Sequence, residues 1–235
     1  GADAIKFQTY NANSVYVKNA GKSDYLKKNG FGVDIYRIFE KFSMPYSILP
    51  ILSKHCKKRK ILFMSTPFSI SDAKEVNKYV KIHKIASYEI NHIKLLEFLA
   101  KTKKPIIIST GATTYKEIDF AMKILKKNKV KIIGILQCTA SYPANPDSLN
   151  LNTIPEIRTR YNVPVGLSDH SQDPIIAPIM AIGLGSNIIE KHFTLNKKLP
   201  GPDHKFALNP SELKKMIKVI RTAELSKGDG NKQIL

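Results

Sequence analysis

Short apolar runs alternate along the chain with longer stretches of helical spacing. The runs Ala4–Gln8, Ile61–Ser65, Val80–Ala86, Pro105–Ser109, Ile132–Gln137, Val163–Leu167 and Asn187–His192 are rich in Ile and Val. Compact β-branched runs of this kind mark strands covered on both faces. Between them, Ile93–Lys101, Tyr115–Lys127 and Pro174–Gly183 read as helices. Pro210–Lys227 predicts a further helix, with Asn209 as N-cap, Pro210 in the first position and Gly228 as a C-terminal stop. Strand–helix alternation implies the α/β class and a parallel sheet.

A closed (β/α)8 barrel has eight strands, and seven are counted here. An open sheet of this size would leave two unpaired edges, which proteins avoid. The expectation is a TIM (β/α)8-type barrel lacking its first strand and helix. No low-complexity linker divides the chain, so residues 1–235 are expected to form one domain, truncated at the N-terminus.

Polar residues gather where these strands end. Lys6 and Gln8 close the first, Ser65 and Thr66 the second, and Lys84, Ser87 and Glu89 the third. Ser109 and Thr110 follow the fourth, Cys138, Thr139 and Tyr142 the fifth, Ser168, Asp169 and His170 the sixth, and Glu190, Lys191 and His192 the seventh. In a barrel such ends converge on one mouth, where active sites are built. Capping of the next helix accounts for one such residue, but not for polar side chains at every strand end. A lysine inside a doubly covered strand must face a paired charge or an anion. With Thr66, Ser87, Ser109 and Ser168 nearby, Lys6 and Lys84 suit a phosphate and a carboxylate held by charge-assisted hydrogen bonds.

His170 and His192 end adjacent strands among Asp169, Glu190 and Asp203. Imidazole with oxygen ligands suits a divalent cation, Mn²⁺ foremost, whose shell water and substrate would complete. His55, His83, His92 and His204 read as surface or supporting residues, and Cys138 as packing. No G-x-G-x-x-G, Walker loop, G-x-S-x-G or zinc-type C-x-x-C pair is present.

The charge changes this picture little. Lys+Arg number 38 and Asp+Glu 19, a formal net charge of +19. The excess is mostly lysine spread along the chain, with arginine only at 37, 59, 158, 160 and 221. Nucleic-acid readers lean on the arginine fork, so a solvated lysine surface is expected, with no nucleic-acid partner. The weakly polar run 174–185 is too short for a bilayer span. GADAIKFQTY lacks the basic head and apolar stretch of a secretory signal. With only Cys56 and Cys138, a reducing, cytoplasmic setting and no membrane association are expected.

The segments GADAIKFQT, FMSTPFS, KIASYE, PIIISTGA, QCTASYP, VGLSDHS, IIEKHFT and PGPDHKFAL occur in this order. Together they resemble the sialic acid synthase (N-acetylneuraminate synthase) family, whose members make neuraminic, legionaminic and pseudaminic acids. The resemblance implies a (β/α)8 barrel followed by a small antifreeze-like domain, which has no counterpart in residues 1–235. It implies a transferase of carbohydrate biosynthesis that condenses phosphoenolpyruvate with the open-chain aldehyde of an N-acetylated amino sugar, such as N-acetylmannosamine, releasing phosphate by C–O cleavage. It assigns Lys6, Gln8, Thr66, Lys84, Ser87, Ser109 and Ser168 to phosphoenolpyruvate. It gives His170 and His192 to the metal, and Glu89, Tyr142 and Asp203 to the sugar as catalytic residues. A homodimer is implied for the full-length protein. Ala140 stands where some neuraminate synthases carry asparagine, and Ala207 where many relatives have serine. Two other readings stay open: another phosphoenolpyruvate- or phosphate-binding barrel enzyme, and a truncated, inactive barrel.

Overall fold

The computed structural model describes residues 1–28 and 30–232. Its strands are β1 (Ala4–Thr9), β2 (Leu62–Pro67), β3 (His83–Ile85), β4 (Ile106–Ser109), β5 (Ile132–Cys138), β6 (Val165–Asp169) and β7 (Ile188–Lys191). The helices are α1 (Ala12–Val15), α2 (Asp24–Lys28), α3 (Ile35–Phe42), α4 (Leu49–Lys58), α5 (Ile70–Asn77), α6 (Ile93–Lys101), α7 (Tyr115–Lys127), α8 (Thr153–Tyr161), α9 (Ile176–Gly183) and α10 (Pro210–Ser226). The strands form two sheets, β1–β2 and β3–β4–β5–β6–β7. The fold is an incomplete (β/α)8-type barrel, as the strand–helix alternation predicts. Among the described residues no helix is long and apolar enough to cross a membrane.

The chain divides into two compact units, the first comprising Ala2–Ile133 with Pro200–Pro202 and the second Gly134–Leu199 with Asp203 onward and Gly1. In the first unit β1 runs parallel to β2, with Lys6 beside Met64 and Gln8 beside Thr66. β3 runs parallel to β4, with Lys84 beside Ile107. Ile106 N–H donates to Lys131 O, where β5 begins. Leu49, Cys56, Phe63, Val76 and Val80 make a core cluster beneath β1 and β2. The Ser69 hydroxyl caps α5 by accepting the Asp72 amide, and Thr114 with Glu117 forms a capping box on α7. α6 and α7 keep the predicted limits because apolar spacing and caps agree there.

In the second unit β5, β6 and β7 are parallel neighbours. β6 starts at Val165, two residues later than its apolar run predicts. Pro164 has no N–H for a ladder, although its carbonyl accepts the Ile135 amide at 3.0 Å. Ser168 and Asp169 therefore lie inside the strand rather than beyond it. α9 also starts late, because Asp173 Oδ1 accepts the Ile175 and Ile176 amides at 2.7 Å each. α10 follows the prediction closely, with Asn209 and Glu212 forming a capping box. Gly228, two residues past its end, has φ of +62°, a conformation that suits glycine.

Gly166 sits where β6 is pressed between its neighbours. A Cβ built there would lie 2.3 Å from Ile188 O and 2.6 Å from Leu136 Cδ2. Backbone on one side and a packed side chain on the other leave little room to relax. Gly166→Ala should therefore destabilise the protein by about 1–3 kcal/mol. Urea unfolding measures this, and an unchanged midpoint would contradict the close packing described.

Candidate active site

The first unit holds a buried cation. Lys84 is the middle residue of β3 and only 2% exposed. It shares a face of the sheet with its register partner Ile107, and therefore with Ser109 two residues on. Its Nζ donates to Ser109 Oγ at 2.6 Å and to Ile85 O at 3.2 Å. Ser87, just past β3, accepts the Gly111 amide on its Oγ at 2.9 Å. Thr66 is buried on β2, and its Oγ1 has no hydrogen-bond partner among the described residues. Beside it Thr9 and Ser65 bond through their hydroxyls at 2.7 Å. Lys6 is half-buried on β1, on the face it shares with Met64 and Thr66, and Gln8 is exposed. Lys84 and Ser109 are thus bonded directly, Ser87 is bonded to the Gly111 amide two residues beyond Ser109, and Lys6, Gln8 and Thr66 share a face of the β1–β2 pair.

Glu89 follows Ser87 in the short helical turn after β3 and is buried. Its Oε2 finds no hydrogen-bond partner among the described residues. Burial pushes its carboxyl up to about 7, with the Lys84 ammonium pulling the other way. The Tyr16 phenol is also pushed up, by burial first and then by the charge of Glu89. A carboxyl that titrates near neutrality can both hold and release a proton.

The second unit holds an imidazole pair. The His170 and His192 rings lie 5.3 Å apart at 67°. Tyr142 stacks on His170 at 4.2 Å, and Phe206 flanks His192 at 5.1 Å. Nδ1 of His170 is 2.7 Å from Thr139 O. A carbonyl only accepts, so this nitrogen carries the proton and Nε2 carries the lone pair. Nδ1 of His192 lies 3.6 Å from Asp203 Oδ2. Ser168 donates to Glu190 Oε1 at 3.3 Å on the same strand face as the histidines. Cys138 is buried, with Sγ 3.9 Å from His170 Nδ1.

This donor set fits a divalent ion. The Thr139 carbonyl orients His170 as outer partners orient ligating histidines. Among the described residues no group of three or more His, Cys, Asp or Glu side chains could hold an ion alone. An ion held by the pair would therefore complete its shell with water or substrate oxygen.

Two of the sequence readings change. Asp169 does not face the histidines; it pairs with Lys191 at 2.6 Å, and both side chains are buried. Alternation along β6 and β7 turns this pair to the opposite face. His83 is not a surface residue but fully buried, with Nε2 3.1 Å from Asn77 Oδ1. Burial, with the Lys104 ammonium adding to it, pushes its imidazole down to about 4. His83 is a neutral core residue. Glu190 and Lys191 stand among the polar strand ends read from the sequence; the Thr139 main-chain carbonyl enters the site's surroundings through a turn, for which residue type gives no signal.

Comparison with known proteins agrees with these motifs. The NeuB family model matches residues 1–232. The spore coat polysaccharide biosynthesis protein SpsE of Bacillus subtilis is 40% identical over 233 residues, which are 97% of this chain and 62% of that protein. A pseudaminic acid synthase of Campylobacter jejuni is 38% identical over 233 residues, covering 98% of this chain and 67% of that protein. The crystal structure of N-acetylneuraminic acid (sialic acid) synthetase from Leptospira borgpetersenii, in complex with citrate, superposes with a TM-score of 0.88 at 32% identity. That match covers 100% of this chain and 77% of the other. The chain thus spans 62% and 67% of the length of these two curated relatives.

The Glu89 carboxyl sets a pH dependence. It titrates near 7 when folded, against an ordinary value of 4.5. Between these values the folded state keeps a proton that the unfolded chain has lost. The contribution of Glu89 should therefore fall as pH rises through this window, by roughly 3 kcal/mol in all, and level off above it. The buried neutral His83 contributes a slope of opposite sign over much of the same range. The Glu89 contribution is therefore read as the difference between wild type and Glu89→Gln, which should gain stability relative to wild type as pH rises and level off above about pH 7. Urea unfolding from about pH 5 to about pH 8 measures it, and an equal slope in both proteins would assign it elsewhere.

Proposed function

The chain belongs to the NeuB family, and on that premise we propose that it is the barrel portion of a nonulosonic acid synthase. The reaction is a condensation of phosphoenolpyruvate with the aldehyde of an N-acetylated amino sugar. A carbon–carbon bond forms between the methylene carbon of phosphoenolpyruvate and the aldehyde carbon. Water adds at the former enol carbon, and phosphate leaves by C–O cleavage. The observation that carries this reading is the Lys84 ammonium, buried in β3 and bonded to the Ser109 hydroxyl at 2.6 Å. A desolvated ammonium bonded to a hydroxyl suits an anionic ligand.

In this reading Lys84, Ser87 and Ser109, with Lys6, Gln8 and Thr66, hold phosphoenolpyruvate. The buried Thr66 Oγ1, without a hydrogen-bond partner among the described residues, gains a hydrogen bond when an anion is present. Glu89 can carry a proton at Oε2. Tyr142 and Asp203 orient the sugar beside the imidazoles. His170 and His192 would hold the divalent ion, taken as Mn²⁺, which supplies Lewis-acid polarisation of an aldehyde when bound. The acceptor class is shared by synthases of neuraminic, legionaminic and pseudaminic acids, and the relatives named above include a pseudaminic acid synthase.

The test compares two lysines. Lys84→Ala should weaken phosphoenolpyruvate binding on the order of a hundredfold and abolish sugar-dependent phosphate release. Lys57→Ala, on the exposed end of α4, should change either by less than about twofold. Calorimetric titration and a phosphate assay over a panel of N-acetylated amino sugars read both. Equal, small effects would place Lys84 outside the site.

A further inference from the structure

The two residues that bracket His170 are both bound by one buried ammonium. Lys191 Nζ donates to Asp169 Oδ2 at 2.6 Å, to Ser171 O at 2.5 Å and to Asp173 O at 3.2 Å, with Ser171 Oγ at 3.3 Å. The other carboxylate oxygen of Asp169 accepts the Ser171 amide at 2.8 Å. The side chains of Lys191 and Asp169 are 3% and 0% exposed. They are register partners at the ends of β6 and β7, so His170 and His192, the residues that follow the two strands, project to the other face.

We propose that Lys191 is a positioning residue for the imidazole pair, clamping the turn at 169–173 from behind so that His170 is presented in one orientation. The clamp fixes the backbone on both sides of His170, and the Thr139 carbonyl then selects its tautomer. Lys191 touches neither substrate nor the reacting atoms. Its four oxygen contacts all belong to this turn, which distinguishes it from a lysine that serves an anion. A buried pair that only stabilises the fold could be replaced by a neutral pair without consequence for the site. A clamp could not, because its ammonium also holds the Ser171 and Asp173 carbonyls.

The inference rests on the reading of His170 and His192 as metal ligands, and the experiment separates the two. Mn²⁺ affinity is measured by EPR titration on the whole protein, on Lys191→Met, and on Asp169→Asn combined with Lys191→Met. The double variant leaves no unpaired buried charge and should unfold near the wild-type temperature. Its Mn²⁺ affinity should still fall about ten- to a hundredfold, with phosphoenolpyruvate affinity retained. Wild-type Mn²⁺ affinity in the folded double variant would overturn the proposal. A second readout needs no variant of the pair. In ¹⁵N-imidazole spectra of the metal-free wild type, with His170 identified by its loss in His170→Gln, one fixed Nδ1–H tautomer is expected. Averaged tautomers would overturn the clamp. If wild type binds no Mn²⁺ but keeps the fixed tautomer, the metal reading falls and the clamp stands.

Discussion

The removal of the Lys84 ammonium from water is the constraint on which the site depends. Taking a cation out of water costs several kcal/mol even after local relaxation. β3 tolerates it because the strand is short and lies parallel to β4, so the Ser109 hydroxyl and the Ile85 carbonyl come within reach. The same dry surroundings raise the Glu89 carboxyl to about 7. A charge that is expensive to bury is also one that attracts an anion strongly, since little water competes for it.

A second buried lysine shows what a structural role looks like in the same protein. Lys191 meets the Asp169 carboxylate and two main-chain oxygens, and its face of the sheet is not that of the histidines. Lys84 donates to a hydroxyl and a carbonyl and acts on the Glu89 carboxyl. The residue type is the same; the surroundings differ. The imidazole pair follows the same logic, with Nδ1 of His170 committed to a carbonyl and Nε2 carrying the lone pair.

Much of this was legible in the chain. Buried parallel strands carry a strong signal, as in the fully buried β4, and polar residues at their ends mark candidate site positions. Pro164 shifts β6 because a missing N–H outweighs apolar patterning. The segment between β1 and β2 was not legible, because α1 and α3 depend on local Asn11 and Asp34 caps and on aromatic contacts such as Tyr10 and Tyr16 with Phe39. Such contacts join residues far apart in sequence. The face of Asp169 and the burial of His83 were also hidden. Both are questions of register and side, where a one-residue difference reverses the answer.

The central claim is that the protein breaks the C–O bond of phosphoenolpyruvate while joining it to an amino sugar. Phosphoenolpyruvate carrying oxygen-18 in the bridging position between carbon and phosphorus tests this directly. Incubated with protein, Mn²⁺ and an N-acetylated amino sugar, it should release inorganic phosphate that contains the label, read by the isotope shift in its ³¹P resonance. Unlabelled phosphate would mean cleavage between phosphorus and oxygen, and would contradict the account.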